Sequence, residues 1–387
     1  MLFYDEGLKA ALAKVFGDSL DQLLQSLLSP GQRYYLRVNT LKTAPELVIE
    51  RLRSRGIEAY RDEELAEAIY IPVKGPYRLE PRDKLVIADK YAAESVYMGS
   101  HLYAPGVIWC SDSIERGDVV SVVTEKGLVV GEGNAVMSCR DMLKKRRGLA
   151  VEVTASVYRL PPIRSLPEYL EGLIYPQSLP AMYVARVLAP EPGELVIDTC
   201  AAPGGKTSHI VELARGRAFV IAFDHSIKRI SNMLSELDRL GHSGFVDVWK
   251  ADSRYLHTDF SWIKADKAVV DPPCTALGVR PKLFDAKTYA DVLNASRYQI
   301  QFLRSAIKIL KKGGVLVYST CTLTAEENEE VVEKFIEEEV CVEPEPIDVR
   351  RGARGLSLYR YGYAYLRFHP HEHDVTGYFI AKLRKRC

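Results

Sequence analysis

Two cysteines stand just after predicted strands, in motifs that could perform chemistry. Cys274 ends the sequence Asp271-Pro272-Pro273-Cys274, and Cys321 lies within Ser319-Thr320-Cys321-Thr322. A thiolate can attack an electrophilic carbon and form a covalent intermediate, and a nearby acid can donate a hydrogen bond or a proton to the reacting group. The two prolines fix φ, so they would hold Asp271 and Cys274 in place. These motifs predict covalent catalysis at the ends of two neighbouring strands.

A loop rich in small residues lies earlier in the chain, between a predicted strand and a predicted helix. The strand ends at Asp198 and the helix starts near Lys206. Ligands of open α/β sheets bind at the carboxyl ends of strands, where glycines permit close approach of the backbone. Cys200 stands where a phosphate-binding P-loop needs its first glycine, and the pattern G-x-G-x-x-G is absent. The predicted cofactor contacts of this loop are Cys200, Ala201, Ala202, Pro203, Gly204, Gly205 and Lys206.

Acidic residues end or follow the next strands. Asp224 ends a predicted strand about twenty residues after the loop, where a carboxylate can accept both hydroxyls of a ribose. Asp252 ends the following strand, where the adenine of a nucleoside should lie, and Asp271 and Arg229 are further candidate cofactor contacts. Lys206 is the one side chain suited to a phosphate in these loops, so the pattern predicts a nucleoside cofactor without phosphates. A role in capping the next helix is the alternative for Asp224.

Alternating strands and helices must position these motifs. From about residue 190, apolar strands alternate with amphipathic helices, which is typical of a mostly parallel, doubly wound sheet. Residues 91–165 contain short β runs separated by turn residues, as in a small β-barrel. The predicted fold class is α/β, with a mixed α/β N-terminal region at 1–90, a barrel at 91–165 and a catalytic domain at 166–387. Residues 166–190 are expected to form a linker that packs on the N-terminal region.

The charge balance limits how the chain could bind nucleic acid. Its 387 residues include 52 Lys and Arg and 51 Asp and Glu, a formal net charge of +1. This excludes a basic coat over the whole surface but permits a local patch. One basic cluster could be an RNA-binding patch, with an ordinary solvated helix as the alternative. Its members are Arg140, Lys144, Lys145, Arg146 and Arg147.

Composition also bears on compartment and metal binding. The longest apolar runs are shorter than the roughly 18–20 residues that span a bilayer, and the N-terminus lacks the pattern of a signal peptide, so we expect a soluble cytoplasmic protein. The seven cysteines are widely spaced with no C-x-x-C, which predicts free thiols rather than disulfides or a zinc site. His369, His371 and His373 lack matched ligands, so no metal is expected. The acidic run at 326–339 is predicted to be the solvated face of a helix.

Together these motifs resemble those of the Sun family of RNA cytosine-5 methyltransferases. Residues 91–165 resemble, more loosely, a PUA domain, which is an RNA-binding barrel. The similarity to the family covers most of the chain and includes Arg37-Val38-Asn39-Thr40-Leu41-Lys42, the Asp198–Thr207 loop, both cysteine motifs and Gly377-Tyr378-Phe379-Ile380-Ala381. The similarity to the PUA domain rests on Ala104-Pro105-Gly106-Val107 and Val130-Gly131-Glu132-Gly133-Asn134-Ala135.

The resemblance implies a Rossmann-like domain that uses S-adenosylmethionine, and a tRNA substrate methylated near its acceptor end. It assigns Cys321 as the nucleophile that adds to carbon 6 of cytosine, and Cys274 as the group that assists breakdown of the adduct. Asp271 would hydrogen-bond ring N3 and draw off charge as the thiolate adds, provided that it is protonated or shares a proton. We expect the enzyme to be a monomer.

Three alternatives stay open at this point. The cysteines could have opposite roles, because DNA cytosine-5 methyltransferases use the cysteine of their Pro-Cys motif as nucleophile. The chain could methylate an exocyclic amine, although Cys274 then takes the place of the aromatic residue that such enzymes use, and Cys321 has no purpose. It could also be a non-catalytic RNA-binding protein that retains the fold, although a binding module needs neither thiol.

Overall fold

The computed structural model describes residues 2–387, and its first part is a pair of helices followed by a small sheet. The carboxylate of Asp5 caps the first helix by accepting the N–H of Leu8 at 2.7 Å. The strands are antiparallel, and one helix covers them with Val48 and Leu52, which are fully buried. The elements are α1 (Glu6–Phe16), α2 (Leu20–Leu27), β1 (Arg33–Val38), α3 (Pro45–Ser54), β2 (Tyr60–Arg61) and β3 (Ala68–Pro72).

A six-stranded sheet with two short helices follows, and it has its own apolar core. The sheet starts at Leu85 and ends at Ser156. The range of 91–165 expected from the sequence therefore begins after its first strand, which has only four residues. The elements are β4 (Leu85–Ala88), α4 (Lys90–Tyr97), β5 (Leu102–Tyr103), β6 (Val107–Cys110), β7 (Val119–Thr124), β8 (Val129–Ala135), α5 (Cys139–Lys145) and β9 (Leu149–Ser156).

The segment that joins this domain to the rest of the chain completes the N-terminal sheet. It contains α6 (Pro167–Leu170), β10 (Ile174–Pro176) and α7 (Leu179–Leu188). Strand β10 pairs antiparallel with β1, with Tyr175 opposite Arg37. The segment expected to pack as a linker therefore contributes the fourth strand of that sheet, in the order β10-β1-β3-β2.

A nine-stranded sheet forms the rest of the chain. Its central order is β13-β12-β11-β14-β15, all parallel, and β19 then pairs antiparallel with β15. The strands are β11 (Leu195–Asp198), β12 (Phe219–Asp224), β13 (Val246–Lys250), β14 (Ala265–Val270), β15 (Leu310–Thr320), β16 (Val342–Glu345), β17 (Ala353–Arg354), β18 (Leu366–Phe368) and β19 (Tyr378–Lys385). The helices are α8 (Gly205–Leu213), α9 (Ile227–Leu240), α10 (Leu256–Asp259), α11 (Tyr289–Ile309), α12 (Glu329–Glu338) and α13 (Pro370–His373).

Both faces of this sheet are covered, so its strands are apolar on both sides. Successive residues of β11 face different cores: Val196 packs with the core under α7 to α9, and Ile197 with the core under α11 and α12. The strand order reverses direction between β11 and β14, which is where ligands bind in such sheets. Among residues 2–387, no helix combines the length and the apolar character needed to cross a bilayer.

Two expectations from the sequence are wrong. Disulfides join Cys110 to Cys139 and Cys341 to Cys387, because the fold brings together cysteines that are 29 and 46 residues apart in sequence. The acidic run is not a uniformly solvated face, because Glu327 and Glu329 are fully buried in the structure.

Candidate active site

The parallel strands place the predicted chemical groups along one edge of the sheet. Asp224 is the last residue of β12, Asp271 follows β14 directly, and Cys321 follows β15 directly. Asp252 lies two residues beyond β13. Because β11 to β15 are parallel, all these residues emerge at the carboxyl edge, at neighbouring positions.

The glycine-rich loop connects β11 to α8 with a conformation that requires glycine. Gly204 is the N-cap of α8 with φ of 101°, and a Cβ at this position would lie 3.1 Å from Met233. The buried carboxylate of Asp198 accepts the hydroxyl of Thr207 at 2.7 Å, and burial raises its pKa to about 6. The N–H of Ala201 donates to the Phe223 carbonyl on the neighbouring strand at 2.9 Å. These contacts fix the loop from both sides.

Asp224 presents a buried carboxylate next to this loop. Its side chain is 1% exposed, accepts the N–H of Ser226 at 3.0 Å and lies 3.4 Å from Arg229. The guanidinium of Arg229 also donates to the carbonyl of Ala202 in the loop. Arg229 therefore ties the carboxylate to the glycine-rich loop. The helix cap expected as the alternative for Asp224 is Ser226 instead.

Asp252 is placed differently from Asp224. It is paired with Arg254 at 2.5 Å, and this hydrogen-bonded partner lowers its pKa. The side chain of Asp252 is partly exposed at the edge of the site.

The donor set fits a nucleoside cofactor without phosphates. Asp224 is a buried carboxylate that can accept ribose hydroxyls, and in the adjoining loop Gly205 is partly exposed. The one lysine of the loop, Lys206, is held by Asp271 at 2.7 Å, so it is not free to bind a phosphate. These residues suit the nucleoside part of such a cofactor.

Asp271 lies at the centre of a hydrogen-bonded cluster of polar side chains. Its carboxylate accepts from Lys206 at 2.7 Å, from the Ser319 hydroxyl at 2.7 Å and from the Tyr378 hydroxyl at 3.2 Å. Burial alone would lower the pKa of the Lys206 ammonium, but the charge of Asp271 and the contact with Tyr378 hold that pKa well above its ordinary value. The sequence motif contained Ser319, but no role was predicted for it or for Tyr378.

The two thiols face each other. The Sγ atoms of Cys274 and Cys321 are 3.5 Å apart, and both side chains are partly exposed. The hydrogen bond between them lowers the pKa of Cys321 and raises that of Cys274. This direction is the one expected if Cys321 is the nucleophile. The loop after Cys274 is tied to Cys321, because the N–H of Gly278 donates to the Cys321 carbonyl at 3.0 Å.

The basic cluster lies on α5 and the turn after it. These belong to the six-stranded domain and not to the sheet that carries the other candidate residues. All five of its side chains belong to exposed residues. Lys145 pairs with Asp141 at 2.9 Å. Arg146 donates to the carbonyls of Val107 and Pro105, so its guanidinium is bound to the protein's own backbone. Arg140, Lys144 and Arg147 are exposed at the same surface.

Comparison with family models identifies two parts of the chain. Residues 185–384 match the model described as 16S rRNA methyltransferase RsmB/F, which covers about half of the chain. Residues 84–157 match the PUA domain.

Full-length relatives share both parts. A tRNA (cytosine(72)-C(5))-methyltransferase of Pyrococcus horikoshii is 42% identical, with 99% of this chain and 97% of that protein covered. The human tRNA (cytosine(72)-C(5))-methyltransferase NSUN6 is 28% identical, with 92% and 83% covered. The crystal structure of NSun6 from P. horikoshii with SFG, an analogue of S-adenosylmethionine, has a TM-score of 0.90 and covers 99% of this chain and 98% of that one.

Proposed function

The chain belongs to the RsmB/F family of methyltransferases, and we propose that it transfers a methyl group from S-adenosylmethionine to carbon 5 of cytosine 72 in tRNA. The observation that carries the chemistry is the pair of thiols 3.5 Å apart beside Asp271, at the same sheet edge as the glycine-rich loop. The site near the acceptor end follows from the full-length relatives, which are tRNA (cytosine(72)-C(5))-methyltransferases.

Cys321 starts the reaction in this proposal. Carbon 5 of cytosine is a weak nucleophile, and addition of a thiolate to carbon 6 turns the ring into an enamine whose carbon 5 is electron-rich. The hydrogen bond from Cys274 and the positive charge of Lys206 both favour the thiolate form of Cys321. The nucleophile is therefore prepared before the base arrives.

Lys206 and Asp271 stabilise the negative charge that develops on the ring. As sulfur adds to carbon 6, negative charge accumulates at N3 and the adjacent carbonyl oxygen. Lys206 donates a 2.7 Å hydrogen bond to Asp271, and a further N–H of its ammonium can donate a hydrogen bond to the ring. Ser319 and Tyr378 hold the Asp271 carboxylate in a single orientation.

Cys274 acts after methyl transfer. S-adenosylmethionine supplies the methyl group as an electrophile when it is bound. A water molecule or hydroxide then takes the carbon 5 proton, the C–H electron pair forms the double bond to carbon 6, and the Cys321 sulfur leaves with the C–S electron pair as a thiolate. Because Cys274 lies against that sulfur, we assign it to breakdown of the adduct.

We assign the cofactor contacts to one contiguous surface. Asp224 receives the ribose hydroxyls, Asp252 borders the adenine, and Asp271 faces the methionine end. Arg229 acts indirectly, because its guanidinium binds Asp224 and the loop carbonyl of Ala202. The loop supplies the backbone surface of the pocket through Cys200, Ala201, Ala202, Pro203, Gly204, Gly205 and Lys206.

The PUA domain provides RNA contacts at a distance from the chemistry. The target base must leave its stack to reach a pocket at the strand ends, which costs a few kcal/mol and less at a helix end. Positive charge on α5 would hold the RNA backbone during this step. We propose a cytoplasmic, monomeric enzyme that needs no metal. The one group of ligand type found in residues 2–387 is His369, Glu372 and His373, and His373 Nδ1 there already accepts the His369 N–H at 2.9 Å.

A mechanism-based substrate tests the proposal. Transfer RNA carrying 5-fluorocytidine at position 72 should form an adduct with the protein that survives denaturation, because fluorine at carbon 5 cannot leave as a proton does. Cys321→Ala should abolish the adduct, and Cys274→Ala should retain it. Adduct formation by Cys321→Ala but not by Cys274→Ala would reverse the two roles. Absence of any methylation of cytosine 72 by the intact protein would refute the assignment of the substrate.

A further inference from the structure

A buried carboxylate lies directly behind the two thiols. Glu327, at the turn before α12, is fully buried, and its two oxygens accept five hydrogen bonds. The donors to Oε1 are the N–H of Thr275 at 2.9 Å and the Gln299 amide at 2.9 Å. The donors to Oε2 are the hydroxyls of Thr275 at 2.5 Å, Thr322 at 3.2 Å and Thr324 at 3.3 Å.

These contacts join the two loops that carry the thiols. Thr275 follows Cys274 directly, and Thr322 follows Cys321 directly. The two threonine hydroxyls are themselves 2.6 Å apart. One carboxylate therefore holds the residue next to each thiol, although the two cysteines are 47 residues apart in sequence.

A second layer holds the carboxylate and the first loop in place. Gln299 on α11 donates to the Pro273 carbonyl at 3.1 Å as well as to Glu327. The Tyr318 hydroxyl on β15 donates to the backbone carbonyl of Glu327 at 2.7 Å. Burying a carboxylate is costly unless every oxygen is hydrogen-bonded, and here both oxygens are. An apolar side chain at this position could not make these hydrogen bonds, so the carboxylate can fix a geometry that an apolar side chain could not.

We propose that Glu327 is a positioning residue that sets the distance between the Cys274 and Cys321 sulfurs. It lies behind the loops rather than in the pocket, so it contacts the thiols only through Thr275 and Thr322. The expected effect of Glu327 on the methylation rate rests on the proposed function. The expected effect on the distance between the two sulfurs does not. A displacement of about 1 Å at a reacting group can lower a rate by about a hundredfold.

Activity of paired variants tests the effect on rate. Glu327→Ala removes all five hydrogen bonds, so kcat for tRNA methylation should fall about a hundredfold, while the KM for S-adenosylmethionine stays at the wild-type value. Glu327→Gln keeps the shape and can still bond the threonines, whose hydroxyls can reverse direction, so kcat should stay within about tenfold of wild type. Equal loss in both variants would mean that the charge matters rather than the position, and would overturn the proposal.

Cross-linking of the thiols tests the geometry without reference to activity. Dibromobimane bridges thiols that are close together, and mass spectrometry of the bridged peptide isolates the Cys274–Cys321 product. The bridging rate should fall about tenfold or more in Glu327→Ala and stay near wild type in Glu327→Gln. If the protein does not methylate tRNA at all, the proposed function fails, yet this readout still decides the role of Glu327.

Two controls separate positioning from general loss of stability. Glu329→Gln alters an equally buried carboxylate two residues away, which pairs with Arg367, and it should leave the bridging rate unchanged. Thr275→Val and Thr322→Val replace one hydroxyl by a methyl and serve if Glu327→Ala does not fold; each should slow bridging. An unchanged rate in Glu327→Ala and the valine variants, or an equal loss in Glu329→Gln, would overturn the proposal.

Discussion

Arg37 and Glu212 form an ion pair in which neither side chain is measurably exposed. The guanidinium of Arg37, on β1 of the N-terminal sheet, donates to Glu212 on α8 at 2.8 and 3.0 Å. It also donates to the Gly205 carbonyl at 2.6 Å, at the end of the cofactor loop. The N-terminal region is therefore joined to the loop that we assign to cofactor binding.

Removal of this arginine should destabilise the whole protein. In Arg37→Met the carboxylate of Glu212 loses its charge partner while it stays buried, and breaking a buried pair in this way costs about 3–5 kcal/mol. We expect chemical denaturation to show a loss of this size, with weaker binding of S-adenosylmethionine. Arg61→Met is the matched control, because the Arg61–Glu46 pair is about half exposed and should contribute less than about 1 kcal/mol. Equal losses in the two variants would contradict the account.

Stability should fall in acid because of His209. Burial lowers the pKa of His209 to about 4, and its Nε2 lies 2.9 Å from the carboxylate of Glu67. A lowered pKa means that the unfolded chain takes up a proton first, so the neutral histidine stabilises the fold above about pH 6.5 and this contribution is lost as the pH falls toward 4. The shift corresponds to about 3 kcal/mol.

His209→Gln tests this linkage, because glutamine can donate to Glu67 but does not titrate. The difference in unfolding free energy between wild type and this variant should shrink by about 3 kcal/mol from pH 7 to pH 4. Urea titrations at several pH values measure it. A difference that stays constant across this range would show that His209 is not the group responsible.

The sequence predicts that the site residues meet at one edge of the sheet, but it does not predict the buried residues that hold them in place. Strands with apolar residues on both faces must be parallel and central, so Asp224, Asp271 and Cys321 had to meet at one edge. Arg37 and Glu327 gave no such signal. An acidic run predicts a solvated helix face, and only the contacts of Glu327 with Thr275, Gln299 and Tyr318 make it a buried acceptor.

The disulfides show the same limit. Cysteine spacing reveals a pairing only when the pairs are close in sequence or follow a known pattern. Cys110 and Cys139 meet because the turn before α5 returns to the edge strand β6. That return is a property of the whole domain's fold, and the sequence on either side of the two cysteines does not encode it locally.

Cys274→Ala should trap a product-like adduct on ordinary tRNA. If Cys274 assists release of the Cys321 sulfur, its removal leaves the methylated base attached to the protein. Denaturing gels with S-adenosylmethionine labelled in the methyl group should show label on a protein–RNA band in Cys274→Ala. The band should be absent when Cys321 is also replaced by alanine. Free methylated tRNA at the wild-type rate from Cys274→Ala would contradict the assigned role.

Replacing Lys206 or Asp271 should lower the activity of the enzyme, and the two losses should not be additive. Lys206→Met and Asp271→Asn each break the 2.7 Å pair, and each should lower kcat by about 10²–10⁴-fold, as expected for loss of a proton donor. Tyr378→Phe removes only one of the three donors to Asp271 and should cost about tenfold or less. The double variant of Lys206 and Asp271 should be little slower than either single one, because they act as a unit. Additive losses in single-turnover assays would show that the two side chains act separately.

Charge reversal on α5 and the turn after it should weaken tRNA binding without affecting the chemistry. Arg140, Lys144 and Arg147 are exposed, whereas Arg146 is bound to the carbonyls of Val107 and Pro105. Replacing the first three by Glu should raise the KM for tRNA and reduce the slope of log affinity against log salt by up to about one for each phosphate that the protein no longer neutralises. The affinity for S-adenosylmethionine should not change. The single-turnover rate constant for methylation at saturating tRNA should not change either. Lys264→Glu, exposed on the catalytic domain near the start of β14, is the control; an equal effect there would show that the RNA responds to overall charge and not to this patch.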